Sequence, residues 1–230
     1  QTQVLAIEES HQGARVSTSR GEVVAGLVVN CAGLRCDQVA EMVGASEGNR
    51  IVPFRGEYFE LVPHRRNLVR GLIYPVPDPS FPFLGVHLTR MIDGSVHAGP
   101  NAVLAMAREG YRWRDIEPRQ IREHIGNRGL WRLARKYWRT GAGEIWRSVS
   151  KAAFVRALQR LVPEIGVEDL EASPAGVRAQ AMDAEGELMD DFAITQTSNS
   201  LHVLNAPSPA ATASLEIAGQ IVRMIEARST

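Results

Sequence analysis

The sequence has few cysteines, no net charge and no long hydrophobic run, and each shortage excludes a class of protein. Cys31 and Cys36 are too few for a secreted disulfide scaffold, and with so few thiols we expect no metal site. No apolar stretch approaches the ~20 residues of a membrane span, and nothing near Gln1 is typical of a signal peptide. Zero net charge gives no sign of nucleic-acid binding. We therefore expect a cytoplasmic protein that does not bind nucleic acid.

A further absence concerns nucleotide binding, because no strand-like segment is followed by Gly-x-Gly-x-x-Gly. Two other segments have the form of cofactor-contacting turns. Residues 28–33 predict a buried strand that stops at a turn of small residues, with Cys31 buried. Residues 205–212 predict a loop that leads into a helix, with Ser208 as N-cap and Pro209 as the first helical residue. This helix end is either an anion-binding site or a plain capped helix packed on a sheet.

The order of predicted elements indicates a mixed α/β fold in which one domain interrupts another. Alternating residues predict strands near the start, and residues 23–29 are apolar enough for a strand covered on both faces. A strand-rich part and then a helical part follow before strands return. We predict a partial Rossmann-like cofactor domain, a substrate domain with a β-sheet and helices, and a return to the cofactor domain. The predicted boundaries are 1–50, 51–182 and 183–230.

A histidine near a predicted hairpin is the best candidate for acid–base chemistry. Asp93-Gly94 is a strong signal for a two-residue turn, which places Arg90 opposite His97. In that register His87 and His97 lie on opposite faces and do not form a metal pair. A lone strand histidine is either a hydrogen-bonded structural residue or, with an ordinary pKa near 6.5, a general base. We select His87 as the candidate base.

Candidate carboxylate-binding residues lie on two predicted strands. Arg178 and Gln180 alternate with apolar residues and so share one face, as either a carboxylate clamp or part of a surface edge strand. Arg55 and Tyr58 are similar candidates. In a regular strand these two face opposite ways, so they reach one pocket only if Gly56 breaks the pleat.

The span from residue 108 to residue 160 combines basic residues with tryptophans. It holds twelve arginines and two lysines against five acidic residues, together with all four tryptophans. Basic amphipathic helices with tryptophans bind anionic membrane surfaces. The alternative is a solvated basic face that the acidic stretch 164–191 balances, and the sequence leaves both open.

Taken together, these segments resemble the C-terminal part of the FAD-dependent L-2-hydroxyglutarate oxidases and dehydrogenases, within the D-amino-acid-oxidase-like flavoprotein superfamily. The resemblance covers essentially the whole chain. The Gly-rich phosphate loop of that family is not among these residues. The segments that carry the resemblance are residues 28–33, 52–58, 82–89, 99–102, 175–180 and 205–219.

The resemblance implies a role for each matching position. Val4 matches the strand residue that meets adenine, and Arg178 matches the position that binds the substrate carboxylate in related oxidases. His87 would be catalytic. The resemblance implies further substrate contacts at Arg55, Tyr58 and Thr89, with Gln180 beside Arg178, and further cofactor contacts at Asn30, Ala32, Gly33, Pro207, Ser208, Pro209, Ala210 and Ala211.

The resemblance predicts an enzyme with FAD as cofactor. The expected reaction oxidises an L-2-hydroxy dicarboxylate, L-2-hydroxyglutarate above all, to 2-oxoglutarate by hydride transfer to flavin N5. Oxygen or a quinone would accept the electrons, and a peripheral contact with the inner membrane surface is compatible with the basic span. Two alternatives remain: an amino-acid or secondary-amine oxidase of the same superfamily, and a non-catalytic chain that binds a membrane surface or a protein.

Overall fold

The computed structural model describes residues 2–76, 85–206 and 209–228, and the chain divides into two compact units. The first unit combines residues 1–49 with residues 189–230, and the second comprises residues 50–188. The fold class is mixed α/β, with several sheets and helices, as predicted. The assignment of cofactor binding to one unit and substrate binding to the other stays a prediction.

The part of the first unit that the structure describes holds two three-stranded sheets and two α-helices. Strands β1, β2 and β3 form an antiparallel meander, and the other sheet has the order β11-β12-β4. In this second sheet β12 and β4 are parallel neighbours, although about 170 residues separate them in sequence. The elements are β1 Val4–Ser10, β2 Gly13–Thr18, β3 Gly21–Ala25, β4 Val28–Asn30, α1 Cys36–Glu41, β11 Ala193–Gln196, β12 Ser200–Asn205 and α6 Ser214–Glu226, with a 3-10 helix at Gly33–Arg35.

In the described residues of the second unit, 50–76 and 85–188, a six-stranded sheet is accompanied by four α-helices. Its strand order is β10-β5-β8-β7-β6, and β9 also pairs with β5. The two long strands, β5 and β10, pair with each other along most of their length, and β10 lies at one edge of the sheet. The elements are β5 Arg50–Leu61, β6 Leu72–Ile73, β7 His87–Arg90, β8 Val96–Gly99, β9 Val103–Leu104, α2 Pro118–Gly126, α3 Arg128–Lys136, α4 Trp138–Val149, α5 Lys151–Leu158 and β10 Leu170–Met182, with a 3-10 helix at Pro63–Leu68.

Helix α5 closes the main core of the second unit. Ser150 is its N-cap, since its side chain accepts a hydrogen bond from the amide of Ala153 at 3.3 Å. Phe154 is fully buried, and its ring lies 4.7 Å from that of Phe59 on β5. Leu88 on β7 is also fully buried in this cluster. Helix α5 therefore packs on the face of the sheet that buries Leu88, while Val52 and Phe54 of β5 are buried in a second cluster with Leu130 and Leu133 of α3.

Gly56 allows a close crossing in the middle of β5. A Cβ atom there would lie 2.6 Å from the Cβ of Pro100 and 3.1 Å from the carbonyl oxygen of Asn101, so a larger residue does not fit. The Asn101 side chain in turn accepts a hydrogen bond from the amide of Glu57 at 2.8 Å. The pleat of β5 is not broken at this point. Instead, the register shifts on β10 between Ser173 and Gly176.

The predicted doubly covered strand at residues 23–29 is wrong. The run is divided between β3 and β4, and Val23 and Val24 are exposed in β3. β3 pairs with β2 alone in the meander. The apolar run at residues 23–29 therefore belongs to two short strands of different sheets and not to one buried strand.

The loop between β7 and β8 is longer than a two-residue turn. Five residues, 91–95, connect the strands. The Asp93 carboxylate accepts hydrogen bonds from both the amide and the hydroxyl of Ser95, at 2.9 and 2.7 Å. The amide of Met91 donates to the carbonyl of Ser95 at 2.8 Å and closes the loop. The local hydrogen bonds of Asp93 explain why its neighbours do not form a simple hairpin turn.

This longer loop corrects the predicted register. Arg90 pairs with Val96, and Thr89 pairs with His97, so the prediction that Arg90 lies opposite His97 is wrong by one residue. Because side chains alternate along a strand, a shift of one residue reverses the face. His87, Thr89 and His97 therefore share a face, opposite the face that buries Leu88.

The last helix begins later than predicted. It starts at Ser214 with Ala213 at the N-cap position, so Pro209 is not its first helical residue. Residues 209–213 instead form turns, which are closed by a hydrogen bond from the Ala213 amide to the Pro209 carbonyl at 3.0 Å. The predicted cap Ser208 and the predicted cofactor contact Pro207 lie outside the described residues.

Candidate active site

His87 lies on the face of the sheet opposite Leu88, where a neighbouring aromatic ring stacks on it. It lies at the start of β7, half-buried, and its ring stacks on that of Tyr74 with centroids 4.2 Å apart and planes inclined by 17°. Tyr74 directly follows the short strand β6, which pairs with β7. Thr89 projects from the same face two residues later. The sequence analysis missed Tyr74, because its contact depends on the pairing of β6 with β7.

One nitrogen of His87 has a defined partner. Nδ1 lies 3.2 Å from the carbonyl oxygen of Gly85, which only accepts hydrogen bonds. Nδ1 therefore carries the proton in the neutral ring, and Nε2 keeps its lone pair. Burial lowers the pKa of His87, the Gly85 carbonyl partly offsets this, and the positive charge of Arg178 lowers the pKa further. A neutral imidazole with a free lone pair at neutral pH is the state that a general base requires.

Arg178 and Tyr58 belong to the same cluster. Arg178 pairs with Phe54 across β5 and β10, and Tyr58 lies four residues further along β5, so both project from one face. Burial raises the pKa of Tyr58, while the charge of Arg178 lowers it and Tyr74 raises it. The guanidinium thus acts on both His87 and Tyr58. The structure brings Tyr58, His87 and Arg178 together, with Tyr74 as an additional member.

Arg55 is not part of this cluster. It is only 3% exposed, and its guanidinium carbon lies 4.1 Å from the ring centre of Trp113. Nη2 is 3.3 Å from the Glu57 carboxylate, yet Nε and Nη2 have no hydrogen-bond partner among the described residues. Burial lowers the pKa of Arg55, and the charges of Glu57 and Asp115 raise it. Arg55 and Tyr58 therefore do not share a pocket through a break at Gly56.

An open cleft lies beside Tyr58. It has a volume of 630 Å³ and forms where the β10 irregularity separates β10 from β5. Glu57 contributes a carboxylate that accepts hydrogen bonds from Ser148 and from the side chain of Asn101. The cleft is large enough for a small organic acid and borders Tyr58, but the described residues that line it do not include His87 or Arg178. Its walls also include Tyr111, Arg112, Trp113 and Ser173.

Gln180 lies two residues beyond Arg178 on β10. It pairs with Val52 on β5, and its side-chain amide donates to the carbonyl of Ala181 at 3.3 Å. Its face of β10 is the one that bears Arg178, as alternation predicts. Its predicted contact with a carboxylate remains a prediction.

In the first unit, the two predicted cofactor segments follow neighbouring parallel strands. Since His202 of β12 pairs with Asn30 of β4, both strands end at the same edge of their sheet. Ligands of α/β proteins bind at the carboxyl ends of parallel strands. At this edge Ala32 and Gly33 are exposed, and the left-handed Gly33 (φ 53°) has no atom within 4 Å of where a Cβ would stand. This small, open turn fits the close backbone approach of a dinucleotide.

Other predicted cofactor positions have mixed outcomes. Cys31 is exposed rather than buried, because it follows the last residue of β4 and lies in the open turn. Among the residues described after Pro207 and Ser208, Pro209 and Ala211 are exposed and Ala210 is half-buried. Val4 begins β1, in the meander sheet. The roles of Val4, Pro209, Ala210 and Ala211 stay predictions.

Two classes of site are absent from the described part of the chain. Within residues 2–76, 85–206 and 209–228, no group of three or more His, Cys, Asp or Glu side chains is arranged to hold a metal ion. In the same residues, none of the helices has both the length and the apolar character needed to cross a bilayer.

Residues 1–224 match the family model of the FAD dependent oxidoreductases known as DAO. The chain belongs to this family. The match extends over both units and includes the strand ends and the His87 cluster. The family is FAD-dependent, and the open turn at Gly33 fits that cofactor.

Two curated relatives and one solved structure refine the comparison. The chain is 51% identical over 219 residues to an L-2-hydroxyglutarate dehydrogenase of Indibacter alkaliphilus, covering 95% of this chain and 55% of that protein. It is 46% identical over 226 residues to an L-2-hydroxyglutarate dehydrogenase of Salmonella houtenae, covering 98% of this chain and 54% of that protein. The chain thus spans about half the length of the curated relatives it matches.

The solved structure supports the fold. L-alpha-glycerophosphate oxidase from Mycoplasma pneumoniae, with FAD bound, superposes with a TM-score of 0.65 at 18% identity, covering 98% of this chain and 50% of that one. At this identity the likeness extends to the arrangement of the strands and helices and not to the substrate.

Proposed function

We propose that this chain forms part of an FAD-dependent oxidoreductase that oxidises an L-2-hydroxy acid, with L-2-hydroxyglutarate converted to 2-oxoglutarate. The observation that carries the proposal is the placement of His87, a neutral base with Nε2 unprotonated, within the electrostatic reach of Arg178. A base beside a fixed cation suits the oxidation of a hydroxyl group next to a carboxylate. The relatives of 51% and 46% identity are L-2-hydroxyglutarate dehydrogenases, which supports the choice of substrate.

In this mechanism the protein binds, orients and deprotonates the substrate. Arg178 binds one carboxylate, and Tyr58 and Thr89 line the same face. The substrate hydroxyl gives its proton to Nε2 of His87, and C2 forms a carbonyl as its hydrogen leaves with two electrons. Bound FAD supplies the two-electron acceptor for that hydride. Tyr74 keeps the His87 ring in one orientation throughout.

The residues proposed to hold FAD lie on the first unit. Asn30, Ala32 and Gly33 form the turn after β4, and residues 209–211 precede α6. Their small side chains permit backbone approach to a phosphate-rich group. We propose Val4 as a contact of the adenine. Oxygen and a quinone are the two electron acceptors that we propose, and assays of oxygen uptake and quinone reduction distinguish them.

The test of this function is the visible spectrum of the purified protein under anaerobic conditions. We expect an oxidised flavin band that bleaches when L-2-hydroxyglutarate is added, because the substrate delivers two electrons. D-2-hydroxyglutarate and L-glutamate serve as controls for configuration and for an amino-acid oxidase. Bleaching by L-glutamate alone would replace the hydroxy-acid assignment. A flavin band unaffected by all three acids would refute oxidation of this substrate class.

A peripheral membrane contact through α3 and α4 is a second proposal, favoured by their exposed tryptophans. Trp131, Trp138 and Trp146 are 61%, 63% and 59% exposed. The guanidinium of Arg139 lies 5.4 Å from the ring centre of Trp138. Trp138 also lines an apolar cavity of 370 Å³. Exposed indole rings beside arginines suit the interface of an anionic bilayer.

Replacing Trp138 or Trp146 with serine should weaken binding to anionic vesicles about tenfold each, because each buries an indole ring at the interface. Co-sedimentation with phosphatidylglycerol vesicles measures this, and added salt should weaken the binding of every variant. Trp113→Ser is the matched control, since Trp113 covers Arg55 instead. Equal binding of all three variants would exclude α3 and α4 as the contact.

A further inference from the structure

His202 is a buried titratable residue that the proposed chemistry does not use. It lies in β12, fully buried, directly opposite Asn30 of the parallel strand β4. Its Nδ1 is 3.0 Å from the side-chain nitrogen of Asn30, and its Nε2 is 2.6 Å from the hydroxyl of Ser200. Both ring nitrogens are thus satisfied by protein groups, as a buried imidazole requires.

The hydrogen bonds of this network have one consistent direction. The Asn30 side-chain nitrogen also donates to the carbonyl of Cys36 at 2.8 Å, while the Asn30 oxygen accepts from the amide of Ala32 at 3.1 Å. An amide nitrogen only donates, so Nδ1 of His202 must accept. The neutral ring therefore carries its proton on Nε2 and donates it to Ser200.

Ser200 connects His202 to an acidic side chain through its hydroxyl group. Its hydroxyl donates to the Glu9 carboxylate of β1 at 2.6 Å, and Thr197 donates to the same carboxylate at 2.5 Å. Hydrogen bonds from Ser200 and Thr197 lower the pKa of Glu9 against the effect of its burial. A relay therefore runs from Asn30 through His202 and Ser200 to Glu9, and each member has its partner.

Burial, more than any neighbouring charge, sets the protonation state of His202. Burial lowers the pKa of His202, and the Glu9 carboxylate raises it by less. Arg228 donates to the backbone carbonyls of Ser200 and Thr197, on the same side of the relay as Glu9. A protonated His202 would place a hydrogen on Nδ1 against the donor nitrogen of Asn30. The relay is thus intact only while His202 is neutral.

We propose that His202 is a positioning residue for the turn at residues 30–33, which it fixes by orienting the side chain of Asn30. This role rests on the proposed function, in which that turn approaches the cofactor. Without His202, the Asn30 side-chain nitrogen loses one of its two acceptors and keeps only the Cys36 carbonyl. The hydrogen bond from Ala32 to Asn30 then weakens, and the turn samples other conformations.

A matched pair of substitutions separates the two hydrogen bonds of His202, one to Asn30 and one to Ser200. In His202→Asn the side-chain oxygen stands near the place of Nδ1 and accepts from Asn30, but nothing reaches Ser200. In His202→Gln the longer side chain reaches Ser200 and loses the acceptor for Asn30. A positioning role therefore predicts that the two variants differ, whereas a merely structural role predicts similar damage in both.

The first readout is amide hydrogen exchange of this chain without flavin. Exchange at Ala32 should accelerate about tenfold in His202→Gln, the factor expected for loss of one buried hydrogen bond, and less than about threefold in His202→Asn. The amides of β2 report global stability and serve as the reference in both variants. Equal acceleration of Ala32 in the two variants, or none in either, would overturn the proposal.

The second readout is the dissociation constant of FAD, measured by fluorescence titration of the flavin-free protein with FAD. It should increase about tenfold in His202→Gln and remain near wild type in His202→Asn, with KM for L-2-hydroxyglutarate unchanged in both. Faster exchange at Ala32 without a change in FAD affinity would refute the link to the cofactor. Failure of wild-type protein to take up flavin would count against the proposed function, while the exchange result still decides the relay.

Discussion

Replacing His87 with alanine should slow flavin reduction about 10²–10⁴-fold, the range expected when a general base is removed. The substitution removes Nε2, which the Gly85 hydrogen bond leaves unprotonated, and it leaves Arg178 to bind the substrate. Substrate affinity should therefore change much less than the rate. Anaerobic stopped-flow measurement of the flavin band against substrate concentration gives both quantities.

The pH dependence of the wild-type enzyme supplies an independent check. The active form is the neutral imidazole, so flavin reduction should fall as pH drops through the pKa of His87 and level off above it. Burial and the charge of Arg178 lower this pKa, which places the acidic limb below the ordinary value of about 6.5. His87→Ala should abolish the limb along with the rate.

The control for this prediction is His64→Ala. His64 lies in the exposed 3-10 helix at Pro63–Leu68, outside the cluster, so its loss should leave both the rate and the acidic limb unchanged. If His87→Ala slows flavin reduction less than about fivefold, the general-base role is refuted. The same holds if the acidic limb persists in that variant.

The sequence predicts the long strands well and the hairpin register poorly, for a physical reason. β5 and β10 are 12 and 13 residues long, and they pair with each other along most of that length, so a slip of one residue would disturb many contacts at once. The β7–β8 hairpin is short, and its register is decided by how Asp93 and Ser95 bond to each other. A dipeptide signal does not encode that choice, so the prediction placed His87 and His97 on opposite faces although they share one.

The candidate site residues also divide into those that the sequence predicts and those that it misses. His87, Arg178 and Tyr58 are found from residue type and family resemblance, and the sheet brings them to one face. Tyr74 escapes notice because stacking depends on the pairing of a two-residue strand. His202 escapes notice because its partner Asn30 lies 172 residues away and is brought near only by the parallel pairing of β12 with β4.

Exposure is the property that composition predicts least well in this chain. Cys31 and Val24 belong to apolar runs, yet the turn after β4 and the edge position of β3 expose both. An apolar run shows that a segment is able to be buried, and tertiary pairing decides whether it is. For the turn after β4 the exposure is informative, because small exposed residues at a strand end suit backbone contact with a cofactor.

Replacing Arg178 should mainly weaken substrate binding, and the size of this loss of affinity depends on the residue that replaces it. Arg178→Ala removes the charge and should raise the dissociation constant of L-2-hydroxyglutarate about 10²-fold or more, as expected for a charge-paired group. Arg178→Lys keeps the charge but loses the planar fork, and should weaken binding about tenfold. Concentration dependence of anaerobic flavin reduction measures both constants.

The two Arg178 variants should separate further in their pH profiles, because only one of them removes the positive charge. The charge of Arg178 lowers the pKa of His87, so Arg178→Ala should move the acidic limb of flavin reduction to higher pH. Arg178→Lys should leave that limb near the wild-type position. An acidic limb at the same pH in both variants would show that Arg178 does not act on the base. Unchanged substrate affinity in both variants would show that Arg178 is not part of the carboxylate site. A shift in Arg178→Ala alone, with weaker binding in both variants, would tie the clamp and the base to one substrate pocket.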